Sequence, residues 1–593
     1  MENKSKLEQI GNMDPGIHDA DYKGKTQFPV LGPAFWVFDS GRNRESLNGI
    51  WHFSPDPYNN CLRSDWYMQA EKNKKEGNSP LDFDFESWDT VQIPHVWNLE
   101  RPEWKFYEGP GVYERRFLYK SNGEDRVVLK FSGIRGEARI FLNGKFVGRH
   151  PNGDTAFFAD ITDFLQPENQ LVITADNTRR LEQIPSENID WFNYGGIFRD
   201  VELLRLPAAY ISRFSLRLCP DDFHKIQGYI QISENVDGTA YLEIPELSVF
   251  EEITILSGQG TFCTECVPQL WYPESPKRYS ATLRFGEDSV SDWIGLRDIR
   301  TQGRDILLNG KPIFLKAVCL HEESLTHGRA ETEQEILERL LAAKEMGCNC
   351  VRLTHYPHAE TAARLADRLG LLLWEEIGVY WWIDFTNAAT LEEAQNQLHE
   401  LIQRDENRAS VILWSVGNEN PDTDERYSFM RQLTEYVRQL DSSRLVTAAC
   451  LCDKKRLIMN DRLAKHLDVI GVNEYYGWYD PDFSKFLSIL ENTEIQKPII
   501  ISEFGAGAAC GNHGDPDNLW TEECQEEIYR RQIEIFSQSE KIKGTAPWVL
   551  MDFRSPKRLN SFQKGFNIKG LLSADLSYRK PAFYQMQKFY RTK

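Results

Sequence analysis

The chain has 593 residues, with 69 Lys and Arg against 89 Asp and Glu and a net charge of −20. That balance argues against nucleic acid and anionic membranes as partners, and it demands a local cation wherever an anionic substrate is held. The length exceeds what one hydrophobic core organises, and no apolar run reaches the ~18 residues of a membrane span, so several domains and no membrane are expected.

Met1-Glu-Asn-Lys-Ser-Lys-Leu-Glu-Gln-Ile10 has no apolar h-region, so a cytoplasmic location is expected, or a periplasmic or secreted one if a signal is removed beforehand. Residues 1–26 are polar and read as a loose leader. From 27 to 206 short strands and turns alternate, including Val127–Ser132, Leu171–Ala175 and Val201–Arg205. Ala138–Val147 reads as a hairpin with Asn143-Gly144 at its turn. This region is expected to be a β jelly-roll sandwich. One of its loops, Asn188-Ile-Asp-Trp-Phe-Asn-Tyr-Gly-Gly-Ile197, combines an acid, aromatics, an amide and paired glycines. On its own it fits a turn packed by its aromatics, or a loop that presents polar groups to a sugar.

Residues 207–299 carry a second set of strands, such as Ile211–Leu218, Gly228–Ile232 and Ala281–Phe285, and fit an immunoglobulin-like β sandwich. From 300 to 593 the pattern changes to strand–helix alternation. Eight apolar strand candidates follow: Ile313–Val318, Cys350–Thr354, Leu371–Trp374, Val411–Val416, Leu445–Ala448, Val469–Val472, Ile499–Ser502 and Ala546–Leu550. Helical stretches lie between them at Thr332–Met346, Ala359–Leu369, Leu391–Arg404, Asp424–Leu440 and Glu522–Ser537. The series predicts a C-terminal (β/α)8 TIM barrel.

In such a barrel the residues just past each strand converge on one face. They are His321 and Glu322, His355, Glu375 and Glu376, Asn418 and Glu419, Asn473 and Tyr475, Glu503, and Trp548 and Asp552. Two of them, Glu419 and Glu503, each end a buried apolar run, and a carboxylate pair at one barrel mouth is the raw material of glycoside hydrolysis. The 12% aromatic content with 16 Trp fits sugar-facing platforms as well as a tightly packed β-rich protein. There is no nucleophile elbow, phosphate loop or His-Glu-x-x-His. His321 and His355 lack a complete ligand set, and Cys263-Thr-Glu-Cys266 lacks a second pair, so neither a metal nor another cofactor is expected. Of the 11 cysteines, those in apolar runs, such as Cys319, Cys348 and Cys350, read as reduced core residues.

Taken in order, Asp190-Trp-Phe-Asn-Tyr-Gly-Gly-Ile197, Leu308-Asn-Gly-Lys-Pro312, His321-Glu322, Arg352-Leu-Thr-His-Tyr-Pro357, Trp414-Ser-Val-Gly-Asn-Glu419 and Ser502-Glu-Phe-Gly505 resemble family 2 of the glycoside hydrolases. The resemblance covers nearly the whole chain. It implies a retaining mechanism with Glu419 as acid/base and Glu503 as nucleophile, and Trp548 as a sugar-stacking ring. Burial and the charge of Glu503 are expected to raise the pKa of Glu419, while Tyr475 and Arg352 keep Glu503 ionised. Asn418 is expected to bond the sugar 2-hydroxyl, and Asp190, His321, His355 and Asn473 to line the substrate site. Asn473-Glu-Tyr-Tyr-Gly-Trp-Tyr479 and Phe566-Asn-Ile-Lys-Gly570 resemble segments of the family's β-glucuronidases. This implies that Tyr475 and Tyr479 border the sugar and that Asn567 and Lys569 grip a C6 carboxylate. The family's arginine shortly before this motif is not matched at the same spacing; Gln563 lies nearest, and Arg558 and Arg554 are candidate substitutes. Terminal β-D-glucuronides are therefore the expected substrates. A β-galactosidase, a β-galacturonidase and an inactive sugar-binding protein are the alternatives, and a homo-oligomer is compatible with the sequence.

Overall fold

A computed structural model describes residues 29–68, 84–121, 126–151 and 153–593. The leader at 1–26 lies outside the described residues. Six antiparallel strands form one sheet of the first sandwich, in the order 89–93, 49–55, 110–118, 168–176, 137–142 and 145–150. Four strands, 44–46, 201–206, 126–131 and 157–160, form the other. Alternating apolar positions meet between them, with Trp51, Phe53, Trp97, Phe131, Ile140 and Ile173 fully buried. The hairpin turns at Asn143 and Gly144, at φ 54° and 74°. Those values suit the two-residue turn that Asn-Gly favours.

The second sandwich has three strands, 211–219, 222–232 and 259–265, facing four, 249–255, 238–244, 279–285 and 288–294. Its core is separate, built on Phe214, Ile230, Leu242 and Leu283. A small three-stranded sheet over 299–312 leads into the barrel.

The barrel strands run parallel in the order 315–320, 350–353, 372–376, 411–418, 445–450, 469–473, 499–503 and 542–545. Leu315–Lys316 pairs with the last strand and Cys319–Leu320 with the second, which closes the ring. Two expectations are corrected here. The first strand is not Ile313–Val318: its ladder begins at Leu315 and runs to Leu320, divided between two neighbours. The eighth strand is Ile542–Thr545, not Ala546–Leu550. Its Lys-Gly pair hid it, since Lys543 breaks the apolar run and Gly544 is there for close approach. A Cβ on Gly544 would lie 2.8 Å from the Leu315 Cβ. Ala546–Leu550 then leaves the ladder at Pro547, which has no N–H to donate, and carries Trp548 over the barrel mouth.

Helices cover the ring at 333–345, 360–369, 388–405, 424–440 and 522–538, with two further ones at 484–492 and 581–592 that were not expected. The first starts in a capping box, Thr332 with Glu335. Among the described residues no helix is long and apolar enough to cross a membrane.

Candidate active site

Strand pleating decides which side chains reach the barrel axis. Neighbouring residues point to opposite sides, so of the pair ending the third strand only Glu376 turns inward. It accepts from Arg352 Nε at 3.1 Å, from the Trp374 indole at 3.0 Å and from His355 Nδ1 at 2.6 Å. Glu375 instead interacts with Asp405 and Arg404 on the helix layer and is removed from the site. Arg352 is the hub: wholly buried, it donates to Glu376, to Glu503 Oε1 at 2.9 Å and to Asn418 Oδ1 at 2.8 Å.

Glu503 ends the seventh strand at the floor of the pocket. Tyr475 donates its hydroxyl to Glu503 Oε2 at 2.7 Å, and His355 Nε2 lies 3.8 Å from Oε1. Burial pushes the Glu503 carboxyl up to about 8, Arg352 opposes this, Glu419 adds to it, and the Tyr475 bond opposes it again. The expectation placed the raised carboxyl at Glu419 and an ionised one at Glu503. The structure instead raises Glu503, which lies at the buried floor. Burial also depresses His355 and His321, so both rings are neutral near pH 7.

Asn418 holds its amide by accepting from Arg352 and from Asn473 Nδ2 at 3.1 Å, while Asn473 accepts from Ser502 at 2.7 Å. Among the described residues Asn418 Nδ2 is buried without a partner. An amide N–H left open beside two carboxylates has a vacant donor to offer a ligand. Trp548 stacks on His355 with ring centroids 5.0 Å apart.

The loop from the first sandwich does reach the barrel. Trp191 packs against His321, His355, Tyr356 and Tyr380. Asp190 accepts from Ser555 at 2.7 Å and is paired with Arg558. On the far side Lys569 Nζ donates to the Tyr479 hydroxyl at 2.8 Å, and Asn567 Oδ1 accepts from the Lys569 backbone N–H at 3.2 Å. The Asp552 carboxylate fixes that segment by accepting from Gly570 N and from Lys580, both at 2.9 Å.

These side chains enclose a cavity of about 360 Å³. Its walls include Asp190, His355, Glu419, Asn473, Tyr475, Tyr479, Glu503, Trp548, Asn567 and Lys569. Asn418 stands behind Asn473. His321 lies off the wall, packed on Phe553 and Trp548 and bonded to the Tyr356 hydroxyl at 3.1 Å. The wall also holds residues that the sequence reading passed over: Tyr380, Trp381, Lys454 and Glu474. Arg558 faces the cavity while Arg554 is tied to Glu323 at 2.7 Å and to the Leu325 carbonyl at 2.6 Å, so only the former is available to a ligand. The aromatic run Val379-Tyr-Trp-Trp382 after the third strand was the available signal for Trp381. Among the described residues no three His, Cys, Asp or Glu side chains gather as metal ligands do.

Comparison with known proteins adds the following. The model "Glycosyl hydrolases family 2, sugar binding domain" matches residues 44–207, and "Glycosyl hydrolases family 2, TIM barrel domain" matches residues 299–592. A β-glucuronidase of Paenibacillus borealis is 27% identical over 88% of this chain and 94% of its own. The structure of an uncultured Clostridium sp. β-glucuronidase superposes with a TM-score of 0.83 at 26% identity, over 94% of this chain and 99% of that one. A β-galacturonidase from Eisenbergiella tayi, bound to galacturonate, superposes with a TM-score of 0.79 at 26% identity, over 94% and 99%.

Proposed function

The chain belongs to glycoside hydrolase family 2, and we propose that within it the protein is a retaining exo-β-glucuronidase. The observation that carries the substrate is Lys569. The residue is 4% exposed and lines the same cavity as Glu419 and Glu503. Among the described residues no Asp or Glu oxygen lies within 4.0 Å of it. A buried ammonium without a carboxylate is costly. A uronate carboxylate entering beside Asn567 supplies the missing charge, in a protein whose net charge repels anions elsewhere.

The reaction follows from the two remaining carboxyl groups. The ionised Glu503 attacks the anomeric carbon while Glu419 gives its proton to the departing oxygen, and a glycosyl ester forms on Glu503. Glu419 then takes a proton from water, which attacks the same carbon and releases the sugar with its configuration retained. Arg352 and Tyr475 favour the charged form of Glu503 that this requires, against the effect of burial. Protonation of the other carboxyl group removes the like charge that raises Glu503. Asn473, on the cavity wall, is the amide placed to meet a sugar hydroxyl, and Asn418 holds it from behind through its Oδ1. Chemistry needs no metal or cofactor in this scheme.

A β-galacturonidase is the second reading, favoured by the E. tayi neighbour, whose match to this chain is comparable. It places the same carboxylate on Lys569 and differs only in the hydroxyl at C4. A panel of aryl β-glucuronide, β-galacturonide, β-galactoside and β-mannoside separates the readings. Preference for either uronide over the galactoside supports Lys569 as a carboxylate reader, and preference for the galactoside sinks the proposal.

A further inference from the structure

Glu419 receives one side-chain hydrogen bond among the described residues. The indole N–H of Trp381 donates to its Oε2 at 2.8 Å. Trp381 is itself fixed. Its backbone N–H donates to the Asn418 carbonyl at 2.9 Å, and its carbonyl accepts from Asn420 Nδ2 at 2.8 Å. Its ring stacks on Tyr380 at 4.4 Å, and the Lys557 ammonium lies 5.3 Å over it. The protein thus occupies this ring, which is not left bare as a platform for a ligand. Trp381 and Glu419 also share a left-handed backbone, at φ 53° and 52°. That conformation is uncommon for residues other than glycine and costs on the order of 1 kcal/mol each.

An indole N–H can only donate. The oxygen it touches must act as acceptor, a role that the carbonyl oxygen of a protonated carboxyl fills better than its hydroxyl oxygen. We propose that Trp381 is the positioning residue of the acid/base: by occupying Glu419 Oε2 it reserves Oε1 for the proton that passes to the leaving group. The inference rests on the reading of Glu419 as the acid/base. Neither the carboxyl's rotation nor its choice of oxygen is left to chance in this arrangement.

The same bond stabilises the carboxylate form, so removing it favours the protonated acid. Other groups that feel the charge of Glu419 are Glu503, Glu474, Tyr475, His355 and Tyr380, together with Lys557 above the indole. All of them remain in a Trp381→Phe variant, so a change in its pH profile reports the N–H.

The test compares an alkyl glucuronide, which needs a proton on its leaving group, with a 2,4-dinitrophenyl glucuronide, which does not. Trp381→Phe should lower kcat/KM for the alkyl substrate by about tenfold or more, as loss of a bond to a charged group implies, and change the activated one little. The alkaline limb of its kcat/KM profile should move up by about one pH unit. Trp381→His, which restores a ring N–H, should move both readouts back toward wild type. If Trp381→Phe does not fold, Trp381→Leu replaces it as the variant without a donor. Equal losses on both substrates with an unmoved limb overturn the inference. Glu419→Gln separates the two levels of the argument. If it fails to discriminate the substrates, the acid/base reading itself is wrong. If it discriminates and Trp381→Phe behaves as wild type, only the role of Trp381 falls.

Discussion

Replacing Lys569 by methionine keeps most of the side-chain volume and removes the charge. In the free enzyme the ammonium has a hydroxyl partner, Tyr479, and the rings of Tyr479 and Tyr475 at 5.0 and 5.5 Å. Ring contacts contribute roughly 0.5–2 kcal/mol, whereas desolvating an ammonium costs several kcal/mol. Lys569→Met should therefore leave Tm unchanged or raise it. With substrate bound the balance reverses. A charge-assisted bond to a carboxylate contributes roughly 1.5–3 kcal/mol, which is about 10- to 150-fold in kcat/KM. The loss should fall on the aryl glucuronide, and residual galactoside turnover should hardly change. Steady-state kinetics on both substrates, beside a thermal melt, reads the whole prediction. A variant that melts earlier and loses both activities equally would falsify the carboxylate-reading role and make Lys569 a structural residue.

The catalytic pair is tested by azide. Glu503→Ala should lose nearly all turnover and regain it with azide, giving a glycosyl azide of inverted configuration, whereas Glu419→Ala should give the retained product; opposite configurations would exchange the two roles. Asp190→Ala should lower kcat/KM by the equivalent of about 1–3 kcal/mol, with Arg558 released from its partner, and an unchanged kcat/KM in a folded variant would remove Asp190 from the site. Tyr475→Phe deletes a donor that holds Glu503 down, so the acidic limb of the pH profile should move up, by roughly one unit. Burial holds Glu503 near 8 against a usual 4.5. Between those values the folded state keeps a proton that the unfolded state releases, so stability falls as pH rises through this window. Glu503→Gln removes that titration and should raise Tm at about pH 9 more than at about pH 5, by the equivalent of a few kcal/mol; equal effects at both would place the charge elsewhere.

Much of this site was legible because barrel chemistry sits at strand ends, and most of the strands open as apolar runs. Val411–Asn418 runs directly into Glu419, and Ile499–Glu503 ends on its own carboxylate. What stayed hidden was what the third dimension adds. Glu375 and Glu376 are indistinguishable in sequence, and only the pleat separates the buried outer carboxyl from the one that holds Arg352 and His355. The eighth strand was masked by Lys543 and Gly544, whose residue types serve a salt bridge to Asp305 and a close approach to Leu315. Arg558 lies far in sequence from Asp190, and no local pattern tells that the two are paired across a domain boundary.

The division of charge in the pocket has a physical logic that links these residues. The proposed nucleophile must be anionic when it reacts, yet burial alone would keep Glu503 protonated. Arg352 opposes this, but a buried guanidinium is itself costly and is shared with Glu376 at 3.1 Å. His355, bonded to Glu376 and depressed by burial, fills the remaining space with a neutral ring. The floor therefore carries two carboxyl groups against one guanidinium, with Tyr475 as a neutral donor. Its charge is sensitive to the protonation of Glu419 at the wall. In the proposed double displacement, protonation of Glu419 lifts the repulsion on Glu503, and once Glu503 is consumed in an ester Glu419 is free to ionise and act as base. The ammonium of Lys569 stands outside this balance, beside Tyr479 rather than a carboxylate among the described residues, and in the proposed reaction its charge is left for the substrate.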